Sequence, residues 1–217
     1  MNMKRTIIFG DIHGCFDEWN DLMEKVSVTS EDVLVTVGDM ICRGPASQKV
    51  LDLAIRLPSL IYVLGNHELR FLTSWKNGCI PKSRSYDIET VREMGDHFES
   101  YMNFLSTKHF YANLPDVLVV HAGLKPGLSL EHQSMEDLTQ IREVGHYQRP
   151  WYEFYTDTKP VVFGHWVRRK PLIRQNAIGL DTGCVYGGSL SAYLFPDQRV
   201  VSVPAKKVYR VRSGPWA

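Results

Sequence analysis

The sequence predicts an α/β layered domain, and three observations carry that reading. Short apolar, β-favouring runs alternate with segments whose apolar residues recur at helical spacing. No proline-, glycine- or serine-rich linker and no internal repeat divides the 217 residues, so one domain spanning 1–217 is expected. A content of 44% hydrophobic and 23% charged residues is that of a soluble globule with a sizeable core.

The elements follow in order. Thr6–Phe9 reads as a first strand. Phe16, Trp19, Leu22, Met23 and Val26 then mark one face of a helix, with Asp17, Glu18, Asp21 and Glu24 between them. Val33–Val37 is a second strand. Val50, Leu51, Ala54 and Leu57 form a helix stopped before Pro58. Leu60–Leu64 is a third strand, and 69–113 reads as mostly helical around a loop near Ile80-Pro81-Lys82-Ser83. Strand-like runs return at Val117–Val120, Val161–Phe163, Ile178–Leu180 and Leu190–Phe195, with Val200–Val203 and Val208–Val211 as expected edge strands. The aromatic and proline-bearing segment near 125–160 is expected to form a lid or cap.

Composition narrows the function. The formal net charge of +1 supplies no global field toward duplex nucleic acid or a membrane surface, and neither is expected as a partner. The apolar run after Met1-Asn2-Met3-Lys4-Arg5 stops at Gly10-Asp11, too short for a signal peptide core, and no long apolar stretch predicts a transmembrane helix. Cys15, Cys42, Cys79 and Cys184 form no Cys-x-x-Cys pair, which argues against a zinc knuckle and a disulfide framework. A reducing cytoplasmic location is expected.

Five short motifs each follow an apolar run: Gly-Asp-Ile-His-Gly (10–14), Gly-Asp-Met-Ile-Cys-Arg-Gly (38–44), Gly-Asn-His-Glu (65–68), His-Ala-Gly (121–123) and Gly-His (164–165). Loops beyond the carboxyl ends of strands are where α/β sheets collect their sites. Together the motifs offer Asp11, His13, Asp39, Asn66, His121 and His165, a donor set for two metal ions. Mixed imidazole and carboxylate ligands suit a first-row pair rather than magnesium or calcium. Two ions about 3.5–4 Å apart need a bridging group. Asp39 is the candidate bridge, with Asp11 and His13 on one ion and Asn66, His121 and His165 on the other. Any one motif alone is as well explained by a turn or a cap; the signal is their joint occurrence at strand ends.

These motifs resemble those of the phosphoprotein-phosphatase branch of the calcineurin-like metallophosphoesterases. Within that branch, Arg43-Gly44-Pro45-Ala46-Ser47, Phe163-Gly164-His165-Trp166 and Leu180-Asp181-Thr182-Gly183-Cys184-Val185-Tyr186-Gly187-Gly188-Ser189-Leu190 are most similar to the bacterial symmetrical diadenosine tetraphosphatases. The resemblance implies a four-layer sandwich of two mixed β-sheets flanked by helices, with the dimetal site at the strand carboxyl ends. It implies that Asp11, His13, Asp39, Asn66, His121 and His165 are metal ligands, that Arg43 and Arg142 bind phosphate, and that His67 is the general acid. The implied cofactor is two divalent ions, manganese first, with iron, zinc, cobalt or nickel as alternatives.

One departure matters chemically. Protein phosphatases carry an aspartate three residues after the bridging one, paired with the catalytic histidine; here that residue is Cys42. A phosphate leaving group needs less protonation than an alkoxide, so the loss favours cleavage of a phosphoanhydride. Glu68 points the other way, matching the protein phosphatases. The expected substrate is therefore a dinucleoside polyphosphate, with a phosphoprotein as the alternative. A non-catalytic metal-binding relic is disfavoured because every ligand position, His67 and Arg43 are filled. Trp166 with Arg168, Arg169 and Lys170 could stack a base and hold outer phosphates, or be core beside a solvated basic turn.

Overall fold

The computed structural model describes residues 4–214. In chain order its elements are β1 (Thr6–Phe9), α1 (Phe16–Lys25), β2 (Val33–Thr36), α2 (Ser47–Arg56), β3 (Leu60–Tyr62), α3 (Asn66–Lys76), α4 (Ser85–Met94), α5 (Phe98–Ser106), β4 (Tyr111–Asn113), β5 (Leu118–Val120), α6 (Met135–Gln140), β6 (Glu143–Val144), β7 (Arg149–Pro150), β8 (Val161–Phe163), β9 (Leu172–Ile173), β10 (Ala177–Gly179), β11 (Ser189–Phe195) and β12 (Arg199–Pro204).

Two five-stranded mixed sheets are flanked by helices. The first runs β12-β11-β1-β2-β3 and the second β4-β5-β8-β10-β9. In the first, β1, β2 and β3 are parallel, and β11 and β12 extend it antiparallel. In the second, β5, β8 and β10 are parallel, with β4 and β9 antiparallel at the edges.

Side chains alternate across a strand, and that alternation divides the core. Ile8, Val35, Val37 and Val63 of the first sheet meet Val119, Val162, Ile178 and Leu180 of the second in an apolar inter-sheet layer. Ile7, Phe9 and Leu34 point the opposite way, onto Trp19, Leu22, Val50, Leu51 and Phe71 of the helices. The outer face of the second sheet, with Leu118, Val120, Val161 and Phe163, is covered by Leu138 of α6 and by Trp151. Segment 125–160 thus supplies buried Trp151, whose indole Nε1 donates to Ala122 O at 3.1 Å.

The expected edge strand at Val208–Val211 is not one. Tyr209 and Arg210 both donate their backbone N–H groups to Val185 O, at 3.1 and 3.0 Å, instead of laddering with β12. The segment after β12 therefore turns back over the domain toward the rim. Conversely, β4 and β9 are strands that the pattern did not announce; both are very short and lie at the edges of the second sheet.

Candidate metal centre and phosphate cavity

Six parallel strands, three in each sheet, deliver their carboxyl ends to one rim. Asp11 and His13 follow β1, Asp39 follows β2, Asn66 and His67 open α3 after β3, His121 follows β5, His165 follows β8 and Asp181 follows β10. Sharp turns are required to aim these side chains inward. Among the described residues, His13, Asp39, Cys42, Arg43 and His165 all adopt positive φ, between 48° and 72°. Each such residue costs roughly 1–2 kcal/mol, a strain held by the surrounding packing. Close approach adds a second constraint at Gly164, where an added Cβ would run into Asp11 Oδ1.

Glu68 organises the rim from below. Buried at the start of α3, its Oε2 accepts from Gly65 N at 2.8 Å and Asp39 N at 3.0 Å. Its Oε1 accepts from Met40 N at 2.9 Å and Ile41 N at 3.3 Å. One carboxylate thereby fixes two of the five motifs against each other, and the helix N-terminus favours its negative charge. Asp39 Oδ1 in turn accepts from His67 N at 3.0 Å.

The donors converge on Asp39 Oδ2. His13 Nε2 lies 3.6 Å from it, His121 Nε2 3.5 Å and His67 Nε2 3.9 Å. His121 Nε2 and His165 Nδ1 lie 2.9 and 3.0 Å from Asn66 Oδ1. Asp11 accepts from His165 N at 3.0 Å, joining the first sheet's motif to the second's. Two triads of potential ligands share Asp39, one made of His13, Asp39 and His67 and the other of Asp39, His121 and His165.

Burial dominates the electrostatics. It pushes Asp39 up to about 6 and Asp181 up to about 6, and raises Asp11 well above the usual carboxylate range, helped by the neighbouring Asp181 and Asp39 charges. Burial also lowers His121 to about 4 and holds His13 and His165 well below the ordinary imidazole value. The histidines are therefore neutral and carry lone pairs.

Those lone pairs test whether cations fit. His121 Nδ1 is 2.9 Å from Val37 O, which fixes the ring proton there and leaves Nε2 as an acceptor. That acceptor faces the amide oxygen of Asn66 at 2.9 Å. His13 shares only the first half of that pattern: Nδ1 lies 3.1 Å from Ile41 O, while Nε2 accepts from Arg43 Nη1 at 2.7 Å, so a cationic group already meets that lone pair. The acceptor of His121 facing that of Asn66, with the carboxylates of Asp11, Asp39 and Asp181 buried beside them, forms a set that positive charge between them would relieve. The residues fit a pair of divalent ions.

Beside this centre lies a cavity of about 470 Å³ whose wall carries Arg43, Arg70, Arg84, Arg142, Arg210 and Arg212. Arg142, just after α6, donates from Nη2 to His165 O at 3.3 Å, so it reaches the rim from the second sheet's side. The guanidinium carbons of Arg43, Arg70 and Arg210 all lie 5.4–5.7 Å from the ring centroid of Tyr86. Arg210 reaches the cavity because the segment after β12 is anchored on α1, where Glu18 Oε1 accepts from Lys206 N at 2.9 Å and Tyr209 Oη at 2.7 Å. Trp166 is outside the cavity wall; it packs half-buried against Tyr152, with Arg168 over its ring at 4.6 Å.

All six residues expected as ligands, together with His67, Arg43 and Arg142, are gathered at this rim. Sequence reasoning missed Asp181, although Leu180-Asp181 follows the apolar run of β10 as the other motifs follow theirs. It also missed Arg70, one helical turn after His67, and the arginines of α4's entry and the 205–213 segment, which no motif marks.

Two mixed sheets back to back, with buried neutral histidines and carboxylates at the shared rim beside a cationic cavity, define a metal-dependent phosphoester hydrolase. Residues 4–203 match the calcineurin-like phosphoesterase family, and the chain belongs to it. Members of this family act with divalent metal ions. The asymmetrical bis(5'-nucleosyl)-tetraphosphatase PrpE of Anoxybacillus flavithermus is 29% identical, over 93% of this chain and 95% of its own. The symmetrical bis(5'-nucleosyl)-tetraphosphatase of Vibrio parahaemolyticus is 27% identical, over 92% of this chain and 98% of its own. A crystal structure described as a candidate diadenosine tetraphosphatase superposes with a TM-score of 0.81 at 34% identity, covering 94% of this chain and 95% of that one. Among the described residues no helix is long and apolar enough to cross a membrane.

Proposed function

We propose that this chain hydrolyses a phosphoanhydride bond of a dinucleoside polyphosphate. The observation that carries the reading is the row of arginines: besides Arg70, which Asp87 holds, and Arg210, which Glu89 pairs, the same cavity wall carries Arg43, Arg84, Arg142 and Arg212, more than one phosphomonoester requires. The names of the tetraphosphatase relatives support the same substrate class.

In this reading Asp11, His13, Asp39, Asn66, His121 and His165 would hold two divalent ions, manganese by preference. Bound, the ions supply Lewis acidity to the phosphoryl group and to the attacking water. The rest is the work of the chain. Arg43 offers its fork to an oxygen of the phosphoryl group being transferred, and Arg142 approaches the same group from the opposite wall. Arg84, Arg210 and Arg212 neutralise the further phosphates and so hold the leaving portion in line. His67, with Nε2 turned toward Asp39 and no partner for that atom among the described residues, faces the departing oxygen. Free Cys15, Cys42, Cys79 and Cys184 suit a reducing cytoplasm.

The test is a manganese-supplemented assay with diadenosine tetraphosphate and a phosphoserine peptide in parallel, with Asp39→Asn as control. Two ADP, or ATP with AMP, at a kcat/KM well above that for the peptide is the expected outcome. Preferred release of phosphate from the peptide would overturn the reading in favour of a protein phosphatase.

A further inference from the structure

Position 42 leaves His67 without the carboxylate that would ordinarily orient it, and the structure shows what stands there instead. Arg70, one turn further along α3, places Nη2 3.0 Å from His67 Nδ1. The same guanidinium is held by Asp87 of α4, through Nε to Oδ2 at 3.1 Å and Nη2 to Oδ1 at 2.6 Å. Asp87 is fully buried, and Ser83 Oγ donates to its Oδ2 at 2.9 Å. The imidazole cannot swing away. It is itself fully buried, edge-on to His13 at 4.9 Å between centroids and tilted against Tyr86 at 5.5 Å.

A guanidinium has donors only, so a ring nitrogen facing it must accept. The ring proton of His67 therefore resides on Nε2, the atom that faces the reaction centre and is buried without a hydrogen-bond partner among the described residues. A carboxylate in Arg70's place would impose the reverse, drawing a proton onto Nδ1.

We propose that Arg70, clamped by Asp87, is a positioning residue that fixes His67 as the Nε2–H tautomer, a fixed hydrogen-bond donor matched to phosphate leaving groups and poorly matched to alkoxides. The proposal rests on the anhydride-hydrolase reading above. The bond accounting is simple. A water oxygen bonds to phosphorus and the bridging P–O bond breaks with its electron pair on the departing phosphate oxygen. That oxygen accepts a hydrogen bond from His67 Nε2–H and leaves ionised, while the proton of the attacking water goes to solvent. An alkoxide leaving group would need the proton itself, and a neutral imidazole gives up its last N–H only by becoming an imidazolate.

Two measurements test this. The first is a long-range ¹H–¹⁵N correlation spectrum of histidine-labelled protein loaded with a diamagnetic divalent ion, with His67 assigned by His67→Gln. Wild type is expected to carry the proton on Nε2, and Arg70→Met to show both tautomers. The second is kinetics with diadenosine tetraphosphate. Arg70→Met and Asp87→Asn are expected to lower kcat about 10–100-fold with KM changed by no more than about threefold. A proton on Nδ1 in wild type overturns the proposal. So does a variant whose tautomer and kcat both match wild type, or one that raises KM alone, which would make Arg70 a phosphate-binding group. Should Asp87→Asn fail to fold, the wild-type spectrum and Arg70→Met still decide. If diadenosine tetraphosphate is spared while another phosphate ester is cleaved, the substrate reading fails alone, and the tautomer still judges this one.

Discussion

Asp39 carries the most conflict of any single residue. It is 2% exposed, sits at positive φ, has its Oδ2 within 3.9 Å of three imidazole nitrogens, and is pushed up to about 6 by burial. A carboxyl must release its proton before it can bind a cation, so protons and metal compete for it. The sign is clear: the value lies above the ordinary carboxylate range, so the carboxylate is free above about pH 6 and increasingly occupied below it. Metal affinity measured by calorimetry should fall as the pH is lowered, Asp11, itself raised well above the usual carboxylate range, contributing in the same direction. The fall should reach about tenfold per pH unit below about 6 for each proton displaced. His121, lowered to about 4, adds nothing until far more acid conditions. Affinity unchanged between pH 7 and 5 would show that Asp39 is not a ligand. The gathering of the six candidate ligands at one rim was legible in the sequence because short motifs fixed residue type and spacing together. Asp181 was not, since a lone Leu-Asp after an apolar run is also what a simple turn looks like.

At the scale of elements, the first turn of α3 joins the architecture to the chemistry. Asn66 and His67 face the rim, Glu68 reaches beneath it to the backbone of 39–41, and Arg70 reaches sideways to Asp87 on α4. Replacing Glu68 by alanine leaves four backbone donors without that acceptor in a buried place. A loss of about 3–5 kcal/mol, read from denaturant midpoints, is expected. A change below about 1 kcal/mol would mean that water or a neighbour replaces the carboxylate. The central strands and α1 and α2 were readable from periodicity because each buries one regular face. The 205–213 segment was not: Val208 and Val211 suggested alternation, but the backbone there spends its hydrogen bonds on Val185 and on Glu18. Partners so distant in sequence leave no local trace. The i, i+3 spacing of His67 and Arg70 was visible, yet only the fold brings Asp87 to complete it.

On the scale of the molecule, the donor set is divided between the sheets. Asp11, His13, Asp39 and Asn66 hang from the first, His121 and His165 from the second. Ions bound only by the folded arrangement stabilise it by mass action, about 4 kcal/mol at a thousandfold excess over Kd. For a domain of this size that corresponds to a Tm about 8–16 °C higher than after chelation. Asp39→Asn should remove most of the difference, and an equal Tm with and without chelator would deny that the ions bridge the sheets.

The inter-sheet layer behind the rim is built on an apolar cluster that includes Val35, Val63, Val119, Val162 and Ile178, and hydrogen bonds such as His165 N to Asp11 Oδ2 at 3.0 Å and Leu64 N to His109 O at 2.8 Å tie the first sheet's segments to the second's. Such a layer behaves like the spine of a book, and ions held by the donors of both sheets would serve as its clasp. With the clasp undone, the covers are free to part at the rim while the spine stays shut. Amide exchange in the loops after β1, β2, β5 and β8 would quicken first, well before the strands themselves are released. In that case loading the metal would complete the assembly of the rim as well as equip its chemistry.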